Sequence, residues 1–179
     1  MKEAILLTSF TTWKPEQPSN SSDDLMDEVI ARYPYRDALH IRRKLPVDFQ
    51  LASRRAIAAI RAVRPGAVVC CGMGERRTSL DVESRAVNGD RILYTPVNLE
   101  ALTAGLAMTG ISHDAGRFVC NQLYYDVLNH LQLNGPGHPC IFVHVPVLTP
   151  DNRGAIAADF LMLLDRVRSL IQHPANAVA

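Results

Sequence analysis

The chain has 179 residues, enough for one domain, 1–179, with a sizeable core. A formal net charge of +1 leaves no basic field for nucleic acid or an anionic membrane surface, and no apolar run reaches membrane-spanning length. Residues 4–10 are apolar but short, and no small-residue cleavage site follows them, so a cytoplasmic location is expected.

Ala4-Ile5-Leu6-Leu7-Thr8 reads as a strand buried on both faces. It leads into a loop carrying Phe10 and Trp13, the kind of strand-end loop where α/β proteins place ligands, although both rings could equally cap the core edge. Asn20-Ser21-Ser22 followed by Asp23, Asp24, Asp27 and Glu28 is a helix start, and Pro34 ends that helix. Imperfect alternation from Ala38 to Val47 predicts a less buried edge strand with His40 facing solvent. Asp48 caps a helix running to Val63, which Pro65-Gly66 terminates.

Ala67 to Cys71 is a second buried strand, in which adjacent Cys70 and Cys71 face opposite ways. The following Gly72-Met73-Gly74 lacks phosphate-loop spacing but permits a close backbone approach to a small ligand. Thr78 to Val87 reads as extended, with Asp81 and Glu83 on the polar side, solvated or paired with Arg85. A turn at Asn88-Gly89-Asp90 returns the chain through Arg91 to Tyr94, and Asn98 caps a helix that Gly110 closes.

Ser112 to Asn121 reads as strand end, tight turn at Ala115-Gly116, and helix start; the helix continues to about Leu133 and breaks at Asn134-Gly135-Pro136-Gly137. Cys120 falls in its first turn, where free N–H groups and the helix dipole favour a thiolate; a packed apolar cysteine is the alternative. Cys140 to Pro146 is the last buried strand, with His144 near its end, and a final helix spans about Asn152 to Gln172. His113, His130, His138 and His173 show no metal-ligand spacing, and the four cysteines show neither zinc nor redox CxxC spacing. Strands alternating with helices predict a three-layer α/β/α sandwich with a largely parallel or mixed central sheet.

Glu83, Cys120 and His144 then stand as a candidate triad, since a thiol needs a base and the base a group to fix its tautomer. Three motifs carry a resemblance: Ser112, Ala115-Gly116, Phe118-Val119-Cys120-Asn121; Phe142-Val143-His144-Val145-Pro146; and Arg77, Leu80, Val82, Glu83, Ala86, Asn88. The chain resembles the type I pyroglutamyl peptidase family, also called pyrrolidone-carboxylate peptidases. Leu45-Pro46-Val47-Asp48-Phe49, Asn20 and Ser22 extend the likeness over nearly the whole chain.

The resemblance implies a cysteine peptidase that removes N-terminal pyroglutamate, with Glu83, Cys120 and His144 catalytic and no metal or organic cofactor. It implies Arg91 and the Cys120 N–H at the oxyanion. It also implies a lactam site built from Phe10, Trp13, Met73, Ile92, Phe118 and Val119, and a small peptide or N-acyl amide as substrate. The family's glycine-rich first loop reads here Ser9-Phe10-Thr11-Thr12-Trp13-Lys14-Pro15, with a larger aromatic. A family segment of some twenty residues is missing after Arg91-Ile92, where Leu93 to Val97 leads almost directly to Asn98. That segment walls the substrate site and helps pack subunits, so a more open site is expected, with a homo-oligomer as the family's assembly. Another small N-acyl amide as substrate, or a non-enzymatic binding protein of the same fold, are the rival expectations.

Overall fold

A computed structural model describes residues 4–135 and 137–173; Pro136 of the expected helix-breaking run lies outside them. Strands β1 (Ile5–Phe10), β2 (Leu39–Leu45), β3 (Ala67–Met73), β4 (Leu80–Glu83), β7 (Thr109–Ser112) and β8 (Cys140–Val145) form one sheet ordered β2-β1-β3-β8-β4-β7. All neighbours run parallel except β4, which is antiparallel to β8. A separate antiparallel ribbon pairs β5 (Arg85–Asn88) with β6 (Arg91–Tyr94) around a two-residue turn at Gly89-Asp90. Helices α1 (Ser21–Arg32), α2 (Leu51–Val63), α3 (Leu99–Thr103), α4 (Val119–Asn134) and α5 (Arg153–Gln172) complete the order.

Two cores follow from the two-residue period of buried strands. Leu7, Val69, Cys71, Val82, Ile141 and Val143 pack against α1, α3 and α5 on one face. Leu6, Phe10, Cys70, Cys140 and Phe142 pack against α2 and α4 on the other. The chain is therefore the expected α/β/α sandwich with a mixed sheet, and Cys70 and Cys71 do part to opposite faces. The same parity sends Gly72, Glu83 and His144 to the α4 face, and this is the step that assembles a site.

Most element boundaries match the sequence pattern. Asn20 caps α1 by accepting from the Ser22 N–H, and Asn98 caps α3 by accepting from the Ala101 N–H. Asp48 Oδ1 receives the N–H groups of Gln50 and Leu51 at the start of α2. Three expectations differ. The extended run from Thr78 to Val87 breaks at Ser84, so β4 lies inside the main sheet and β5 leaves it. Gly110 does not close α3; it sits within β7, and the chain turns instead at Gly105, whose φ is +71°. The left-handed residue that ends α2 is Arg64, ahead of Pro65-Gly66.

Asp23 of α1 ties the first helix to two strands. It accepts from Ser9 Oγ on β1 at 2.7 Å and from Arg43 Nε and Nη2 on β2, both at 2.9 Å. Burial raises the carboxyl pKa, but the hydrogen bonds from Arg43 and Ser9 and the charges of Arg43 and Lys44 outweigh it and leave a net lowering. A depressed folded pKa contributes stability above the unfolded value of about 3.9, and that stability is lost as pH falls through the folded value. Asp23→Asn is expected to lower unfolding stability by about 2 kcal/mol at pH 7. The gap between variant and parent should narrow in urea titrations below pH 3; an equal gap at both pH values would refute the linkage.

Candidate active site

The carboxyl ends of β1, β3 and β8 open onto one cavity of about 650 Å³. This lies beside the β1/β3 junction, where connections leave in opposite directions and open α/β sheets form their crevices. Phe10, Trp13, Met73, Phe118, Val119, Cys120 and His144 all line it. Glu83 stands behind His144, wholly buried, and its Oε1 meets His144 Nδ1 at 2.7 Å. Strand pairing explains the meeting. Asp81 pairs with His144 and Glu83 with Phe142, so Glu83 reaches the histidine diagonally on the shared face. The expected pairing of Glu83 with Arg85 does not form; Arg85 donates to the His113 carbonyl instead.

Cys120 is the second residue of α4 and is half-buried. The turn before it uses Gly116 at φ +79°, with the Gly116 N–H donated to Asp114 Oδ1. No side chain caps α4, which leaves first-turn N–H groups facing the cavity mouth. The sulfur lies over β3 at Gly72: a Cβ there would come within 2.7 Å of Sγ and 2.8 Å of Phe142 Cζ. Gly72 is the register partner of His144, so the missing side chain is what lets sulfur and imidazole share one hollow. They face the same cavity with no hydrogen bond between them in the resting site. A catalytic contact in an empty site is often this loose.

The electrostatics depart from the helix-start expectation. Burial pushes the Cys120 thiol up to about 12, and the charge of Glu83 adds to it, against a lesser opposing pull from the residue's own N–H. Desolvation outweighs the dipole because Cys120 packs against the core on the α2–α4 side of the sheet. A thiol held neutral needs a base to ionise it, and the His144 imidazole faces the same cavity.

Two residues of the expected site lie elsewhere. Arg91 and Ile92 sit on the exposed β5–β6 ribbon and are absent from the cavity lining. The ribbon's direction is a tertiary matter that the local pattern does not carry. The cavity's arginines are Arg76 and Arg77, and neither was singled out as a site residue from sequence. The rim also holds a Lys14–Glu75 ion pair, with Lys14 over the Trp13 ring.

The pyroglutamyl peptidase family profile matches residues 89–158. The pyrrolidone-carboxylate peptidase of Thermoanaerobacter sp. (strain X514) is 30% identical over 173 residues, covering 80% of this chain and 82% of the relative. The chain belongs to the pyroglutamyl peptidase family. Pyrrolidone-carboxylate peptidase 2 of Caldanaerobacter subterraneus is 26% identical, covering 93% of this chain and 92% of the relative. That alignment runs over 195 residues, longer than this chain, so the relative carries residues that are missing here. Among solved structures, the pyrrolidone carboxyl peptidase of Thermococcus litoralis superposes with a TM-score of 0.82 at 17% identity, covering 100% of this chain and 99% of that one. Pyroglutamyl peptidase I of Bacillus amyloliquefaciens gives 0.79 at 17% identity, covering 94% and 96%. These likenesses establish the shared fold.

Two outcomes test the geometry. Gly72→Ala should destabilise by about 1–3 kcal/mol from overpacking, and displacement of the thiol should cut turnover about 100-fold. Unchanged turnover would show that the Gly72 hollow is not used. Alkylation of Cys120 by iodoacetamide, followed by mass spectrometry, should be slow at pH 7 and still rising above pH 9. A plateau reached below pH 8 would contradict the raised thiol.

Proposed function

We propose that this member of the pyroglutamyl peptidase family hydrolyses the amide that follows an N-terminal pyroglutamyl residue. The observation that carries the reading is the single hollow in which the Cys120 thiol and the Glu83-bound His144 open onto an aromatic wall. In it, Cys120 Sγ attacks the acyl carbonyl while His144 Nε2 takes the thiol proton. His144 then gives that proton to the departing amine, leaving a thioester that water hydrolyses. Glu83 accepts the Nδ1–H throughout and so keeps the Nε2 lone pair aimed at the thiol. The N–H of Cys120, at the uncapped start of α4, is the donor for the developing oxyanion. Arg91, exposed on its ribbon, takes no part in this reading.

The wall favours a small, flat, uncharged acyl group. Trp13 and Phe118 touch, with ring centroids 5.3 Å apart and planes tilted by 50°, and Phe49 meets Phe118 edge-on at 5.5 Å. A lactam held between two parallel rings would need them about 7 Å apart, two van der Waals layers. The lactam therefore lies against the Trp13–Phe118 pair, with Phe10 and Val119 beside it. Trp13 and Phe118 are 47% and 44% exposed, which makes the slot open on its outer side. That openness favours, as a second reading, other small N-acyl amides handled by the same thiol.

The enzyme works on soluble peptides in the cytoplasm, a reading supported by four unpaired cysteines and by the absence of a membrane-crossing helix among the described residues. Rates on a pyroglutamyl amide, a prolyl amide and an acetyl amide test the proposal. Pyroglutamyl amide should be preferred by at least about tenfold, the worth of one or two well-placed contacts. Cys120→Ala should abolish the reaction. Preference for the acetyl amide would establish the second reading, and hydrolysis surviving in Cys120→Ala would end both.

A further inference from the structure

Glu83 raises a problem that His144 does not solve. The carboxylate is fully buried, and its Oε2 has no hydrogen-bond partner among the described residues. A neutral imidazole supplies one N–H but no charge, whereas a carboxylate removed from water needs a cation or several donors. The cation nearest to it is Arg77, whose Nη2 lies 3.5 Å from the same Oε1 that receives His144 Nδ1.

Arg77 is held firmly enough to matter. Its Nη1 donates to Asp81 Oδ2 at 2.7 Å, and its Nη2 also donates to the Asp114 carbonyl at 3.0 Å and approaches Ser112 Oγ at 3.5 Å. Its stem fills the notch at Gly74, where a Cβ would meet Arg77 Cγ at 2.6 Å and His144 Cβ at 3.4 Å. Gly74 is itself fixed by donating its N–H to the Val145 carbonyl, one residue beyond His144. One guanidinium thus joins β4, the end of β7 and the turn that leads to Cys120.

We propose that Arg77 is the positioning residue of the triad. It compensates the charge of Glu83 and fixes the carboxylate against His144, with Asp81 anchoring the guanidinium from the other side. No proton moves to or from Arg77. The Sγ–H proton passes to His144 Nε2, the Nδ1–H stays on the ring, and Glu83 remains its acceptor beside a permanent cation. The groups facing Glu83 are His144 from β8, Arg77 from the β3–β4 loop, Asp81 from its own strand, Ser112 from β7, and Cys120 and Tyr124 from α4. Tyr124 donates its hydroxyl to the Glu83 carbonyl. Arg77 is the only cation among them.

The inference rests on the triad reading above, so its test has one arm with substrate and one without. With a pyroglutamyl amide, Arg77→Gln should lower kcat by about 10- to 100-fold, the worth of a charge-assisted contact, with KM changed less than about threefold. Arg77→Lys should recover part of the loss. Combined with Glu83→Gln, Arg77→Gln should add little, because it acts through Glu83. Without substrate, the imidazole Nδ1–H of His144 should give a downfield, exchange-protected proton resonance in the native protein, and Arg77→Gln should shift or broaden it. A purely structural role would instead yield losses that Lys does not recover and that add to those of Glu83→Gln; that result overturns the proposal. An unmoved resonance together with unchanged kcat overturns it as well. If the native protein leaves pyroglutamyl amides intact while the resonance still responds to Arg77→Gln, the substrate reading fails and the brace stands.

Discussion

The antiparallel pairing of β4 with β8 is the constraint on which the site depends. Every other neighbour in the sheet is parallel. In this one pair the strands pass in opposite directions, so a residue near the end of β4 meets the last turn of side chains on β8. Glu83 and His144 both point toward α4, and their 2.7 Å contact is a diagonal cross-strand pair. A register slip of one residue would turn Glu83 into the core packed on α1 and α5. The apolar partners Leu80 and Val82, fully buried on that opposite face, hold the register against such a slip.

The same arrangement sets a conflict within the site. On the proposed mechanism Glu83 orients the imidazole that takes the thiol proton, yet its charge also disfavours the thiolate that results. Burial of Sγ over Gly72 acts in the same direction. Both effects favour the neutral thiol in the resting site. Proton transfer becomes favourable when a carbonyl accepts the sulfur's electrons, because the new negative charge then sits on oxygen near the free N–H groups of α4 rather than on buried sulfur. On that mechanism the thiol stays protonated until substrate supplies an electrophile.

Much of this was legible in the chain, for physical reasons that differ by element. Caps at Asn20 and Asn98 follow from side-chain oxygens that need an N–H to accept, and the buried strands follow from apolar runs too short for helices. Cys120 at a helix start follows from Gly116 and the leucine spacing after it. Glu83 was harder. Alternation in Leu80–Glu83 suggests one wet face, but β4 lies between two strands and beneath α4, so its polar face is dry as well. The start of β7 was hidden, although its end at Ser112 was not, because Thr109-Gly110 carries no apolar run; a strand of four residues is held by its neighbours and by Asp159, which accepts from the Met108 N–H and Thr109 Oγ. Arg77 stands in the motif around Glu83, but its contact with that carboxylate was hidden because a contact reaching six residues ahead through a loop has no period. Arg91 went astray because its local motif is intact while the ribbon that bears it turns outward.

The contrast between Arg91 and the α4 N-terminus bears on how such a site diverges. On the proposed mechanism the catalytic apparatus depends on one thiol, one imidazole, one carboxylate and main-chain N–H groups, the last of which most substitutions cannot remove. These groups are fixed by strand parity, a glycine hollow and a helix start, features of the backbone rather than of exposed side chains. On the same reading, recognition depends instead on side chains carried by loops and rims. Trp13, Phe118 and Phe49 are nearly half exposed and pack chiefly on one another. Exchanging them costs the core little, so the acyl group accepted can change without disturbing the sheet. On physical grounds, chemistry is the slower property of this molecule to change and specificity the faster.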